Sequence, residues 1–237
     1  MTTPAPSVQV APLFAVPLAQ TRHPAPAALN RALREVFITR ENEGGRHRNQ
    51  NPTMRTTGGV FESEFQLFNT DEPHIAELRD FCWRVLTRLV MDLNGYTPDF
   101  MRTLRIHASA WFHVTRPGGY FGLHNHAMAS WSGVYCVDGG DGGQDLPDSG
   151  LLSFNNPAST TAMFLDLAVH NLKPPFDANG RTFKLQPGDL VIFPSWLQHQ
   201  VTPHRGPGER ITVAFNAWFR QAPAQGQAQT QAQAQAS

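Results

Sequence analysis

Apolar positions recur along this chain with two different periods, and the change falls near Pro98. Before it, Leu29, Leu33, Val36 and Phe37 repeat at helical spacing, and Ile75, Leu78, Cys82, Val85, Leu86, Leu89 and Leu93 share one face of a longer helix. Both patterns predict amphipathic helices that lay an apolar stripe on a sheet. Asp71 is placed to cap the second helix, Pro73 is tolerated in its first turn, and Gly95 stands where the chain should leave it. Between the helices, residues 40–54 are polar and aperiodic, which predicts a surface loop or a lid. Phe61 to Phe68 can supply a strand.

After Pro98 short runs rich in Val, Ile, Phe, Trp and Thr alternate with Gly, Pro and Asp clusters: Arg102–Thr115, Trp131–Val137, Gly150–Phe154, Thr182–Leu185, Asp189–Phe193 and Arg210–Phe219. Strands of this length with turn signals between them predict a sandwich or barrel. Asp138 to Ser149 reads as a solvated Gly/Asp hairpin loop, and Asn155 to Gly180 as a long connection able to fold over a barrel opening. The expected organisation is therefore an N-terminal arm (1–25), a helical buttress of the same domain (26–100), a β core (101–220) and a Gln/Ala tail (221–237) with too little to bury to be ordered.

Composition narrows the function. Lys and Arg together number 19, as do Asp and Glu, so no net field pulls on a phosphate backbone and nucleic-acid binding is not expected. No run reaches the ~20 apolar residues of a membrane span, and the N-terminus lacks a basic start and apolar core. Cys82 and Cys136 lie in apolar segments and read as small core residues, so a cytoplasmic location is expected.

The candidate chemistry lies in three histidines. His124 and His126 flank Asn125, and in an extended chain residues two apart project from one face, so both imidazoles can grip one cation. His199 ends the segment Pro187-Gly-Asp-Leu-Val-Ile-Phe-Pro-Ser-Trp-Leu-Gln-His, where a turn feeds an apolar strand and a bend returns the histidine to the barrel mouth. His204, among Pro203, Gly206 and Pro207, reads instead as a solvated loop residue. On the last strand Arg210, Thr212, Ala214, Asn216 and Trp218 share one face, with Ile211, Val213, Phe215 and Phe219 on the other. A guanidinium heading that face needs an anion or solvent, and its planar fork matches a carboxylate. Trp111 and His113 share a face of the first core strand, as does His107; they either line the pocket or point outward.

The blocks Leu123-His-Asn-His-Ala-Met-Ala-Ser-Trp-Ser-Gly-Val-Tyr135, Gly150-Leu-Leu-Ser-Phe-Asn-Asn-Pro157, Pro187 to Pro203 and Arg210-Ile-Thr-Val-Ala-Phe-Asn216 resemble those of bacterial and phage 2-oxoglutarate/iron(II) oxygenases, related in fold to the prolyl hydroxylases. The resemblance runs from about Trp111 to Phe219, and Pro12-Leu-Phe-Ala-Val-Pro17 is similar to that group's N-terminus. It implies a double-stranded β-helix, a jelly-roll or cupin-like barrel, buttressed by the N-terminal helices. It implies that His124 and His199 ligate iron(II), and that Arg210, eleven residues past His199, pairs with the distal carboxylate of the co-substrate 2-oxoglutarate. Tyr120 and Asn216 are further candidates for contact with the co-substrate, Asn216 also for a metal-bound imidazole.

One departure is plain. Most such enzymes carry Asp or Glu two residues after the first histidine, and this chain carries His126. His126 either ligates directly, leaving the site about one charge unit more positive, or stands behind a water that does. The expected activity is a hydroxylating dioxygenase acting on a small molecule or peptide. The alternatives are a cupin-type metalloenzyme without 2-oxoglutarate, against which Ser130 and Trp131 stand where that motif needs Glu, and a non-catalytic barrel that binds a metal or small ligand. No segment carries a substrate signature or specifies an oligomeric state.

Overall fold

The computed structural model describes residues 7–52, 58–159, 164 and 166–222. Among the described residues, ten strands form two antiparallel sheets. The six-stranded sheet has the order β1 (Ala19–Arg22), β8 (Asp189–Pro194), β5 (Trp131–Asp138), β10 (Arg210–Gln221), β3 (Leu104–Thr115), β2 (Val60–Glu62). The four-stranded sheet has the order β4 (Phe121–His124), β9 (His199–Val201), β6 (Leu152–Phe154), β7 (Arg181–Phe183). From β3 onward the chain steps repeatedly from one sheet to the other, which is the winding of a double-stranded β-helix. The expected fold class is observed, with the sheets facing each other as an open sandwich rather than a closed barrel.

The large sheet has two faces with different tasks, set by the two-residue alternation of its strands. Phe112 and Val114 of β3, Tyr135 and Val137 of β5, Leu190 and Ile192 of β8, and Ile211, Val213 and Phe215 of β10 are buried against the helices α1 (Pro26–Asn42) and α2 (Pro73–Asn94). Their alternates face the small sheet, where Cys136, Val191 and Phe193 pack on Leu152, Phe154 and Leu197. Asn30 is a polar residue inside the helix layer. It donates to the Val137 carbonyl (2.9 Å) and accepts from the Tyr135 hydroxyl (2.7 Å), so all three groups are satisfied.

Leu29, Leu33 and Phe37 of α1 are buried as expected. On α2 the buried stripe runs through Ile75, Leu78, Phe81, Cys82, Leu86 and Val90, and Leu93 in the last turn is exposed. Glu72, not Asp71, caps α2: its carboxylate accepts from Ile75 N–H at 2.8 Å. Gly95 ends the helix in the left-handed conformation, φ 66°. Cys82 and Cys136 are free, buried thiols.

The arm contributes β1, which pairs with β8. The polar loop between the helices is tethered to β2: Asn49 N–H donates to the Glu62 carbonyl and Glu64 N–H to the His47 carbonyl. The Asn155–Gly180 connection is described in part; there Asn156 donates to the Asp177 carbonyl and Arg181 pairs with the Asp177 carboxylate. The tail beyond residue 222 lies outside the described residues. Among those described, no helix is long and apolar enough to cross a membrane.

Candidate active site

The small sheet brings the three histidines together. β4 and β9 pair so that His124 and His199 are direct register partners, and His126 follows β4 just before a turn. The ligand nitrogens of the three lie within 4.8 Å of one another. The peptide after β8 holds His126 in place, since its N–H donates to the Ser195 carbonyl at 2.8 Å.

Two of the imidazoles have an assigned orientation. His124 Nδ1–H donates to the Gly122 carbonyl (2.7 Å) and His199 Nδ1–H to the Leu197 carbonyl (2.9 Å). Each therefore leaves the Nε2 lone pair free, the tautomer a metal ligand needs. Burial is the leading cause of depressed basicity in all three. It pulls His199 down to about 3 and His126 to about 4, with the neighbouring imidazoles adding to the shift, and it lowers His124 against the pull of Gly122 and Glu62. At neutral pH the cluster presents three uncharged donors.

The cavity they line extends between the sheets past Trp111, His113, Thr212 and Ala214 to Arg210 at one end, and to Ser132 and Asn216 at the other. Phe121, Leu152, Phe193 and Val201 supply apolar wall. Arg210 is 4% exposed, and its side chain makes no hydrogen bond or ion pair among the described residues. Burial opposes its charge and lowers its pKa from the ordinary arginine value. Its side chain lies directly over Gly150: a Cβ there would sit 2.7 Å from Arg210 Cδ and 2.9 Å from Nε, and Gly150 has φ +60°. The backbone is thus cut away to let the guanidinium reach the cavity.

Trp111 and His113 line this cavity, whereas His107 is exposed and stacks on Trp218. Tyr120 is half-exposed and is not among the lining residues. His204 is not the solvated loop residue its neighbours suggested. It is buried, with Ser149 Oγ 3.2 Å from Nδ1 and the Gly208 carbonyl 2.8 Å from Nε2, because the Gly206–Gly208 turn folds back over it.

Several participants carry no sequence signal. Glu62 of β2 has one carboxylate oxygen 3.1 Å from His113 Nε2, Trp111 Nε1 lies 3.0 Å from the same nitrogen, and Asn49 donates to the other Glu62 oxygen (2.7 Å). Burial works to raise the Glu62 carboxyl, yet His113, Asn49 and His124 hold it below the usual carboxylate value. Ser132 and Ser195 join Asn216 in a chain of hydrogen bonds. Nothing in the local sequence separates these serines, or Glu62, from surface residues of the same type.

The donor set suits a divalent transition metal. Three neutral nitrogens converge from one side, and a buried, unpartnered guanidinium awaits an anion in the same cavity.

Comparison with known proteins agrees with this chemistry. Residues 109–216 match the family described as "Putative 2OG-Fe(II) oxygenase". No curated protein matches the chain by sequence. Among solved structures, a Pseudomonas putida prolyl-4-hydroxylase superposes with a TM-score of 0.54 at 20% identity, over 87% of this chain and 93% of that one. The α-ketoglutarate-dependent epimerase SnoN of nogalamycin biosynthesis gives 0.56 at 13% identity, over 88% and 79%. HygX of Streptomyces hygroscopicus, solved with nickel and 2-oxoglutarate bound, gives 0.52 at 12% identity, over 85% and 82%. These likenesses show a common fold. The segment 109–216, which matches that oxygenase family, carries the three histidines and Arg210.

Proposed function

We propose that this protein is an iron(II)- and 2-oxoglutarate-dependent dioxygenase that hydroxylates a small-molecule or peptide substrate, with His124, His126 and His199 as the iron ligands. The observation that carries this reading is Arg210: a buried cation that forms no ion pair among the described residues, in the cavity that the three imidazoles line. A charge kept in that position at a cost in desolvation is accounted for by a ligand that brings the opposite charge. A cupin-type site that binds metal alone leaves it without a role.

When bound, iron(II) with 2-oxoglutarate and dioxygen supplies the oxidation, in which one oxygen atom enters a substrate C–H bond and the other leaves in succinate as the co-substrate loses carbon dioxide. The protein's own residues position and protect. The Gly122 and Leu197 carbonyls orient two imidazoles for ligation. Arg210 offers a two-pronged donor to the distal carboxylate, and Gly150 gives it room to extend. Phe121, Leu152, Phe193 and Val201 exclude water from the space between, where electrostatic contacts gain strength.

Anaerobic reconstitution with iron(II), followed by titration of 2-oxoglutarate, tests this reading. A visible metal-to-ligand charge-transfer absorption that saturates with 2-oxoglutarate, and that needs far more of it in Arg210→Ala, is the expected result. Iron uptake with no absorption change at any 2-oxoglutarate concentration would overturn it.

A further inference from the structure

Asn216 lies six residues along β10 from Arg210, on the same face, so their backbones stand roughly 20 Å apart at the rise of an extended strand. It is the cross-strand partner of Ser132 on β5. Ser132 Oγ donates to Asn216 Oδ1 at 2.7 Å, and Ser195 Oγ lies 2.8 Å from Ser132 Oγ. Ser195 is fully buried and Ser132 nearly so. Ser195 is also the residue whose carbonyl holds His126 N–H, so this end of the cavity is level with the metal ligands.

The proton count gives the chain a direction. A serine hydroxyl has one proton to give. Ser132 spends its proton on Asn216 Oδ1, so it accepts from Ser195, and the Ser195 proton is thereby satisfied. If the amide were turned over, Ser132 would accept from Nδ2 and donate to Ser195. The Ser195 proton, shut away from solvent, would then have no acceptor among the described residues. A buried donor without an acceptor is costly, so the deepest hydroxyl of the chain selects which end of a remote carboxamide faces the cavity. Asn216 is left presenting Nδ2, which makes no hydrogen bond among the described residues, from a side chain that lines the cavity.

We infer that Asn216 is a binding residue for the 2-oxo-acid end of the co-substrate, donating Nδ2–H to a carboxylate oxygen there. Ser132 and Ser195 are the positioning residues that keep it a donor. The inference rests on the 2-oxoglutarate reading above and adds the contact at the end opposite Arg210. Two donors at the two ends of one cavity suit a dicarboxylate, and a carboxylate is the strongest acceptor that end can receive.

The test uses the full chain loaded anaerobically with iron(II), and two ligands: 2-oxoglutarate, and 2-oxobutanoate, which keeps the 2-oxo-acid group but lacks the distal carboxylate. Affinities are read from the charge-transfer absorption, with thermal melts as a folding control. Asn216→Asp, which replaces the donor by an acceptor at unchanged shape, should weaken both ligands by roughly tenfold or more. That loss should shrink at low pH as the new carboxylate takes up a proton. Ser132→Ala should weaken both ligands severalfold, Ser132→Thr should restore them, and Arg210→Ala should affect 2-oxoglutarate far more than 2-oxobutanoate. Wild-type affinity of Asn216→Asp for 2-oxobutanoate, alongside an intact Arg210 effect, would overturn this inference and leave the function standing. That result would point Nδ2 towards the oxidised substrate instead. Failure of the wild-type iron form to bind either oxo acid would overturn both.

Discussion

His124 and His199 are register partners on neighbouring antiparallel strands, with ring centroids 4.3 Å apart. If the pair ligates a metal as proposed, a centre built on a backbone pairing would lose most of its affinity when one partner goes. His199→Ala should reduce iron(II) occupancy by well over tenfold, measured by elemental analysis after dialysis, with circular dichroism unchanged. His204→Ala should keep its iron but melt at lower temperature, because it strands the buried Ser149 hydroxyl and the Gly208 carbonyl.

Arg210→Ala should weaken 2-oxoglutarate binding by roughly 30- to 1000-fold, the loss of a charge-assisted fork of about 2–4 kcal/mol. The ligand-free, metal-free form should melt no lower than wild type, since the deletion removes a buried charge that has no ion-pair partner among the described residues. A large fall in that melt would show that the guanidinium serves the fold and not the ligand.

His126 replaces the carboxylate of the common oxygenase pattern, and its identity as a ligand can be read from three iron dissociation constants. His126→Asp should bind iron at least as well as wild type at neutral pH, the added negative charge offsetting part of the metal's. His126→Ala should bind more weakly. If Ala binds like wild type while Asp unfolds the metal-free protein, only the His124–His199 pair remains as the centre.

The histidines also predict how the metal-free protein responds to acid. His199 and His126 are held near 3 and 4 in the fold, against about 6.5 in an unfolded chain. Between those values the unfolded chain takes up protons that the folded one refuses, so stability falls as pH drops from about 6.5 towards 4. His113, also lowered by burial, acts in the same direction. The melting temperature of His199→Asn should therefore fall less between pH 7 and pH 5 than that of wild type. Equal slopes would show that His199 titrates normally.

Gly150→Ala should weaken 2-oxoglutarate binding without touching iron affinity. The new methyl would meet Arg210 Cδ and Nε at 2.7 and 2.9 Å, at a backbone angle that L side chains rarely adopt. Titration of the iron-loaded variant reads the first effect and iron analysis the second.

The parts of this fold that were legible in the sequence are those whose signal is local. The alternation on Arg210–Phe219 gave both faces of β10 correctly, because one face meets helices and the other the cavity that the histidines line. The His124-Asn-His126 spacing and the bend before His199 brought the three imidazoles to one point. β1 was not legible: Ala-Gln-Thr-Arg has no apolar period, and it is a strand only because β8 offers it an open edge. Glu62 could not be told from a surface glutamate, since its partners His113 and Asn49 are distant in sequence or weakly marked. Ser132 and Ser195 are 63 positions apart and meet only when β5 and β8 pair. The burial of His204 depends on how the Gly206–Gly208 turn closes.

The lone guanidinium over Gly150 also makes the persistence of the folded chain a function of its surroundings. A ligand that binds only the native state at a hundred times its dissociation constant adds about 2.7 kcal/mol to the free energy of unfolding. That is a sizeable part of what holds a domain of this size together. If a dicarboxylate binds there as proposed, the protein starved of it would spend more of its time open to proteases, and supplied with it would be harder to degrade. On the proposed function, its abundance would then follow the supply of 2-oxoglutarate.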